Sequence, residues 1–480
     1  MQRLNKADYD AVVIGSGPNG LSAAIRLQQA GLSVLILEGK DTIGGGTRTL
    51  ELTLPGFLHD VCSAIHPLGA ASPFFSTLPL REHGLDFIDP PVLAAHPLDG
   101  GRAAALYSSL DKTADALGED SSVYQSLVKP LVKSWPRIIN DLLGPLRIPV
   151  HPIDLTKFGL NALRPATLLS KKFRTTEGRA LWAGMAAHSI QPLTNIATSA
   201  IALVLLAAGH VRGWPFPKGG SHQITKALAS YFTSIGGKIE TNFYVQSMSQ
   251  LPAAHAYLFD VTPAQLLKIA GQKFSSIYRW QLGRYRYGAG VCKVDWALSA
   301  PAPFINDACR SAATVHIGNT IEEIAEGEAM IWKGKHSEKP FVLFAQQSVF
   351  DESRAPGGRH VAWAYCHVPH GSTVDMTERI EQQVERFAPG FRDLILARHT
   401  FTAAQIEEYN PNYIGGDING GVIDIGQLFT RPALRASPYR TSARGIYLCS
   451  SATPPGGGVH GMCGVNAADR ALKDIFGISK

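Results

Sequence analysis

The chain lacks paired cysteines. Its six, Cys62, Cys292, Cys309, Cys366, Cys449 and Cys463, are scattered without a CxxC. That spacing removes the usual support for a zinc site or a dithiol redox centre, and a reduced intracellular chain is the simpler inference. Long apolar runs are missing too: the longest, Ala200 to Gly209, is far too short to span a bilayer. No apolar leader precedes the first strand, which argues against a secretory signal. Charge is thin, at 18% of 480 residues with a net of +6, and this balance makes no case for nucleic acid. A second GxGxxG between a strand and a helix is also absent, so nothing points to a separate nicotinamide domain. What remains, 45% apolar, describes a cytoplasmic globular chain, soluble or peripheral on a membrane, with length for about three domains.

The stretch that is present and specific runs from Tyr9 to Glu38. Tyr9 to Ile14 is a short apolar, β-branched run; it stops at Gly15-Ser16-Gly17-Pro18-Asn19-Gly20, and Leu21 to Ala30 then carries apolar residues at helical spacing. Ser33 to Leu37 reads as the next strand, and Glu38 closes it. A GxGxxG that leaves a strand, opens a helix and is followed by an acid after the next strand is a dinucleotide fingerprint. Gly15 permits the tight turn, Gly17 lets backbone approach a diphosphate, and Gly20 removes a side chain that would hold helix and strand apart. The unpaired N–H groups of the helix start face the phosphates. Glu38 accepts from a ribose hydroxyl and disfavours a 2′-phosphate.

Gly39 to Thr49 follows at once. Its Gly44-Gly45-Gly46 run allows backbone to lie against a flat or anionic ligand, and Arg48 offers a cation to a phosphate; alone the segment reads equally as a flexible turn, and its place just after Glu38 favours a second cofactor loop. Ser122 to Leu143 reads as an amphipathic helix that Pro130 and Pro136 must kink or break. Phe158 to Arg179 alternates leucines with Lys171, Lys172 and Arg174; it reads either as an interfacial amphipathic segment that admits a lipid-like substrate or as a solvated helical face. Gly219-Gly220 before a helix and Gly236-Gly237 before a strand repeat the logic of the opening. From Val291 onward separated strands, with helices such as Thr377 to Phe387, fit a mixed or antiparallel sheet. Asp417, in Gly415-Gly416-Asp417, is a candidate polar group that turn chemistry explains nearly as well.

Taken in order, GxGxxG, Glu38, Gly45-Gly46-Thr47-Arg48, and Leu54-Pro55-Gly56-Phe57 with His59-Asp60 and Ser63-Ala64-Ile65-His66-Pro67-Leu68 resemble the FAD-dependent phytoene desaturase and carotene isomerase branch of the amine-oxidase superfamily. Lys293 to Leu298 and the Asp260-Val261-Thr262-Pro263 strand ending extend the match. The resemblance implies an α/β fold: a Rossmann-type, glutathione-reductase-like FAD-binding domain interwoven with a mixed-sheet substrate domain and a helical lid or membrane-facing subdomain. Its expected boundaries are 1–75, 205–265 and 440–480 for the FAD domain, 76–204 for the lid or substrate-access region, and 266–439 for the substrate domain. The cofactor is FAD, held by Gly15, Gly17, Pro18, Asn19, Gly20, Glu38, Gly39, Gly45, Gly46, Thr47 and Arg48. The resemblance adds Val245, whose backbone meets the adenine, and Gly458, Val459 and Met462, where a helix start faces the flavin pyrimidine. His188 and His460 are the candidates for proton handling, each with a structural alternative. No metal is implied.

The expected activity is desaturation or isomerisation of an apolar polyene, isoprenoid or other lipid-like substrate, with hydride passing to flavin N5. Two alternatives stay open. One is an amine or amino-acid oxidase, in which Arg279, Arg284 or Arg286 would hold a carboxylate. The other is an FAD-containing interaction or assembly protein. The expected partners are an apolar small molecule and a membrane surface, not nucleic acid; oligomerisation is left open.

Overall fold

A computed structural model describes residues 7–145, 147–428 and 430–479. The segment before them, where no apolar leader was read, lies outside the described residues. The chain opens with β1 (Tyr9–Ile14), α1 (Pro18–Gln28) and β2 (Val34–Leu37), then two adjacent strands, β3 (Val92–Leu98) and β4 (Arg102–Leu106). A helical tract follows: α2 (Ser121–Leu142), α3 (Pro152–Ala162), α4 (Thr176–Ala187), α5 (Thr198–Arg212) and α6 (His222–Ser234). Strands resume with β5 (Lys238–Glu240), β6 (Ala254–Phe259), β7 (Gly290–Leu298), β8 (Ala312–Ile317), β9 (Val342–Ala345) and β10 (His360–Val368). The last major elements are α7 (Thr377–Phe387), β11 (Ile395–Phe401), β12 (Ile446–Leu448) and α8 (Met462–Ala471).

Five strands form an all-parallel sheet in the order β12-β6-β1-β2-β5. Its strands read as continuous apolar runs because both faces are covered. Alternation divides them: Ala11 and Val13 join α1, α6 and α8 in one core, while Val12 and Ile14 pack with Leu266, Phe274 and Tyr278 in another. This is the Rossmann-type arrangement expected from Tyr9 to Glu38. Pairing of Ile14 with Phe259 brings the next residues, Gly15 and Asp260, side by side, and the Asp260 N–H donates to the Ile14 carbonyl at 2.8 Å.

A second sheet is mixed, in the order β11-β7-β10-β9-β8-β3-β4. β3 runs parallel to β8, with Val92 opposite Ala312, and the other pairings are antiparallel. Residues 92–106 therefore build sheet rather than lid, although the sequence reading placed 76–204 as one helical region. Every residue of β3 is buried; it pairs with its chain neighbour β4 as a hairpin and, on its other side, with the remote β8.

Two local expectations change. α2 runs unbroken through both Pro130 and Pro136. Burial of Tyr124, Leu127, Val128, Leu131, Trp135 and Ile138 on one face supplies packing that offsets the two missing backbone donors. Phe158 to Arg179 is not one helix. α3 stops at Ala162, a short turn covers Ala166–Leu169, and α4 begins at Thr176, while Leu169 and Phe173 point into the core.

The His59-Asp60 motif is a structural hub. Asp60 accepts from Thr49 Oγ1 at 2.7 Å and from the Ser221 N–H at 2.8 Å. It also accepts from Gln347 Nε2 at 3.2 Å and from Arg354 Nη1 at 3.1 Å. His59 Nε2 shares a hydrogen bond with Thr53 Oγ1, and its other nitrogen lies 3.6 Å from Asp295, which is paired with buried Lys293.

Candidate functional site

One cavity of about 430 Å³ runs from the end of β2, past the glycine loop, to the face of the mixed sheet. Gly15, Gly17, Pro18, Asn19, Glu38, Gly39, Gly45, Gly46, Thr47, Arg48, Val245, His188, Gly458 and Val459 all line it. Segments distant in sequence thus share one wall because β1, β2, β6 and β12 are neighbours in one sheet. Gly20, Met462 and His460 are not part of that wall.

At the β2 end, Glu38 is fully committed. Its Oε2 accepts from the Ser16 N–H at 3.0 Å and from the Ser16 hydroxyl; Oε1 accepts from the Lys40 N–H at 3.0 Å and from Arg48 Nη2 at 3.1 Å. A ribose hydroxyl must therefore share these lone pairs. Arg48 differs from the reading that gave it a phosphate: its guanidinium is buried and donates to Glu38 and to the carbonyls of Thr42 and Gly45, so it pins the second glycine loop to β2. Tyr244 packs against Gly39, where a Cβ would stand 2.8 Å from its ring, and the Val245 N–H has no partner among the described residues.

The glycine loops face each other. A Cβ on Gly45 would lie 3.0 Å from Gly17 Cα, and one on Gly20 would lie 2.1 Å from the Gly15 carbonyl oxygen. The N–H groups of Gly17, Asn19, Gly45 and Gly46 have no partner among the described residues. Unpaired backbone donors on two apposed glycine loops at the start of α1 are the donor set that a diphosphate requires, so the residues present fit a dinucleotide cofactor. Gly20 is an exception to the expected helix-start geometry. Its N–H donates at 2.9 Å to Oδ2 of Asp260, a cavity-wall residue that the sequence reading passed over.

The C-terminal loop forms the opposite wall. His460 corrects an expectation: its ring is fully buried behind Gly458, whose Cβ would lie 3.2 Å from it, and Nδ1 accepts the Met462 N–H at 3.1 Å. Burial pushes its pKa down to about 4. A neutral ring that caps α8 is therefore its role, and the Met462 N–H assigned to a flavin is taken. The N–H groups of Gly458 and Val459 have no partner among the described residues.

Beyond this point the wall changes character. The charged side chains of the cavity, Glu38, Lys40, Arg48 and Asp260, all cluster near the glycine loops. The far half is lined by Ile65, Leu68, Leu205, Leu343, Trp214, Trp363 and Tyr365, with His66, His188 and Thr314 as polar members. Trp363 and Tyr365 alternate on β10, so both point to one face, with perpendicular rings 5.2 Å apart. His188, at the end of α4, shares its Nε2 with His316 Nε2 at 2.9 Å, so one of the pair donates and the other accepts. Burial and the neighbouring His367 pull its pKa down to about 3, leaving a neutral imidazole at the wall. Arg279, Arg284 and Arg286 lie off the cavity; Arg286 pairs with Asp424 at 2.7 Å. Asp417 is buried and accepts from the N–H groups of Gly288, Asn419 and Gly421, the loop role that turn chemistry allowed.

Comparison with known proteins agrees with this geometry. Residues 13–78 match the family described as NAD(P)-binding Rossmann-like domain. A mouse protein, pyridine nucleotide-disulfide oxidoreductase domain-containing protein 2, is 27% identical over 98% of this chain and 94% of its own length. The lycopene-forming phytoene desaturase of Pseudescherichia vulneris is 24% identical over 96% of this chain and 98% of its own. Among solved structures, a putrescine oxidase redesigned in its cofactor binding superposes with a TM-score of 0.63, at 16% identity, over 98% of this chain and 99% of that one.

Proposed function

We propose, for a chain that resembles the phytoene desaturase-like oxidoreductases of the amine-oxidase superfamily along its whole length, that it binds FAD and removes hydrogen from, or isomerises, an apolar unsaturated lipid-like substrate. The observation that carries this reading is the division of the cavity: charge and unpaired N–H groups at one end, aromatic and aliphatic walls without a charged side chain at the other. FAD bound there supplies a hydride acceptor. Gly17, Asn19, Gly45 and Gly46 bind its diphosphate, Glu38 and Val245 its adenosine end, and the Gly458 and Val459 N–H groups face the ring system. Trp363, Tyr365, Leu343 and Leu205 exclude water and align the substrate. His188 offers a neutral imidazole to the reacting region, held in place by the hydrogen bond it shares with His316.

Anaerobic mixing of the yellow protein with isoprenoid or polyene candidates tests this: the flavin's visible absorbance is expected to bleach. Selective bleaching by amines instead would favour a second reading, amine oxidation, which the perpendicular Trp363–Tyr365 pair and the putrescine oxidase likeness support. A yellow protein that neither class reduces would favour a binding role.

Access for such a substrate points to α3. Ile153 and Leu160 are 71% and 64% exposed, and Lys157 lies between them at helical spacing. Ile148 and Val150 before the helix, and Leu163 and Leu168 after it, are exposed as well. No helix among the described residues is long and apolar enough to cross a membrane, so this face would lie on a bilayer surface, with Lys157 and Arg164 at the headgroups. Ile153→Asp with Leu160→Asp is expected to reduce flotation with anionic liposomes by at least about tenfold, since each buried aliphatic side chain is worth about 1.5–3 kcal/mol. Equal flotation would remove the surface role.

A further inference from the structure

Asp260 occupies a place where a carboxylate is out of keeping with its surroundings. It follows β6, and pairing of that strand with β1 sets it directly against the glycine loop. Its Oδ2 accepts the Gly20 N–H at 2.9 Å and stands 2.8 Å from the position of a Cβ on Gly17. It lines the same cavity as the unpaired N–H groups of Gly17, Asn19, Gly45 and Gly46. An ionised carboxylate and a diphosphate cannot share this cradle without strong repulsion, because like charges in a poorly solvated site oppose each other's ionisation.

We propose that Asp260 is a cofactor-binding group that must carry a proton when FAD is bound, so that the protein takes up a proton as it takes up FAD and releases FAD as pH rises. As a neutral acid it keeps the Gly20 N–H on one lone pair and offers an O–H to a diphosphate oxygen. The inference rests on the FAD reading above and concerns how the same site is regulated.

The groups facing Asp260 from the packed elements agree with this assignment. The Glu38 carboxylate stands at the end of β2, with its charge offset by Arg48 at 3.1 Å. From β12 and α8 come the thiols of Cys449 and Cys463, both held neutral by burial, the latter pushed up to about 11. Only the Gly20 N–H favours the ionised form, and burial with the Glu38 charge outweighs it, pushing the Asp260 carboxyl up to about 7. The sign follows. Binding next to an anion raises this value further, so FAD affinity is fully present below about pH 7 and falls about tenfold per unit above it, until the pKa of the loaded form is reached.

Equilibrium dialysis of the purified protein against FAD at a series of pH values reads the slope directly. The wild type is expected to lose about tenfold in affinity per unit above neutrality, while Asp260→Asn, which keeps an acceptor for Gly20 and cannot titrate, binds with one affinity throughout. Calorimetry of the wild type in two buffers of different ionisation enthalpy gives an independent reading: uptake of about one proton per FAD near pH 8. A flat wild-type profile with FAD still bound, a slope retained in Asp260→Asn, or no proton uptake would each overturn the assignment and leave the FAD reading standing. A wild type that binds no FAD at any pH would overturn both.

Discussion

Protein carrying Gly17→Val is expected to purify without flavin. Gly17 has φ −66° and ψ 172°, a backbone conformation open to valine, so the substitution acts through space rather than through strain. Its Cβ would lie 2.8 Å from Asp260 Oδ2 and 3.9 Å from Gly45 Cα, and the two methyl groups would fill the gap between the glycine loops. A diphosphate displaced from that gap forfeits hydrogen bonds to the Gly17, Asn19, Gly45 and Gly46 N–H groups. At about 1.5–3 kcal/mol for each bond to a charged acceptor, losing two weakens binding by about two to four powers of ten. Visible absorbance relative to protein absorbance checks this, alongside far-UV circular dichroism to show that the fold persists. Wild-type flavin content in the variant would show that the cofactor does not lie between these loops.

Arg354→Met carries the largest expected loss of stability. Arg354 is fully buried and joins segments far apart in the chain: Nη1 donates to Asp60 at 3.1 Å, Nε to Asp351 at 3.1 Å, and Nη2 to the Pro217 carbonyl at 3.3 Å. Methionine keeps much of the volume and removes the charge, stranding two buried carboxylates. Breaking a buried ion pair from one side costs about 3–5 kcal/mol. A large drop in the denaturation midpoint is expected, with only partial recovery in Arg354→Lys, because one ammonium nitrogen cannot reach acceptors set around the three nitrogens of the guanidinium fork. A loss below about 1 kcal/mol would mean that water or a rearranged loop replaces the guanidinium.

Those two sites also show what could be read from residues alone. Gly15 to Gly20 was legible because its chemistry is local: strand, turn and helix lie within one short stretch, and each glycine has its own steric reason. Its companion loop at Gly44 to Thr49 was visible for the same reason, although Arg48 turned out to bind Glu38 and loop carbonyls. Asp260 was not legible as a cavity residue, since only the β1–β6 register sets it against Gly15. His188 was named from the sequence, but Trp363, Tyr365 and its partner His316 escaped for the same cause: β10 and β8 reach the cavity through sheet pairings between distant strands, which no local spacing encodes. Residues 92–106 are a local hairpin about Gly100-Gly101, a signal that was there in the residues; only their pairing with β8 depends on a remote strand. His460 invited a chemical role by standing beside the loop, and only its hydrogen bond to Met462 shows it to be a helix cap.

The order of strands in the parallel sheet has a consequence for how the protein is made. β1 and β2 are made before the helical tract, β5 and β6 after it, and β12 with the Gly458–Val459 wall later than all of these. The early glycine loop must therefore remain without its floor at Asp260 until β6 is made, and without its far wall until the still later β12 and the loop after it are made. Closing such sequence-distant contacts is slow, and apolar strand surface stays uncovered while it waits. A chain truncated before β12 cannot close its cavity, so cofactor content records whether β12 and the loop that follows it are in place.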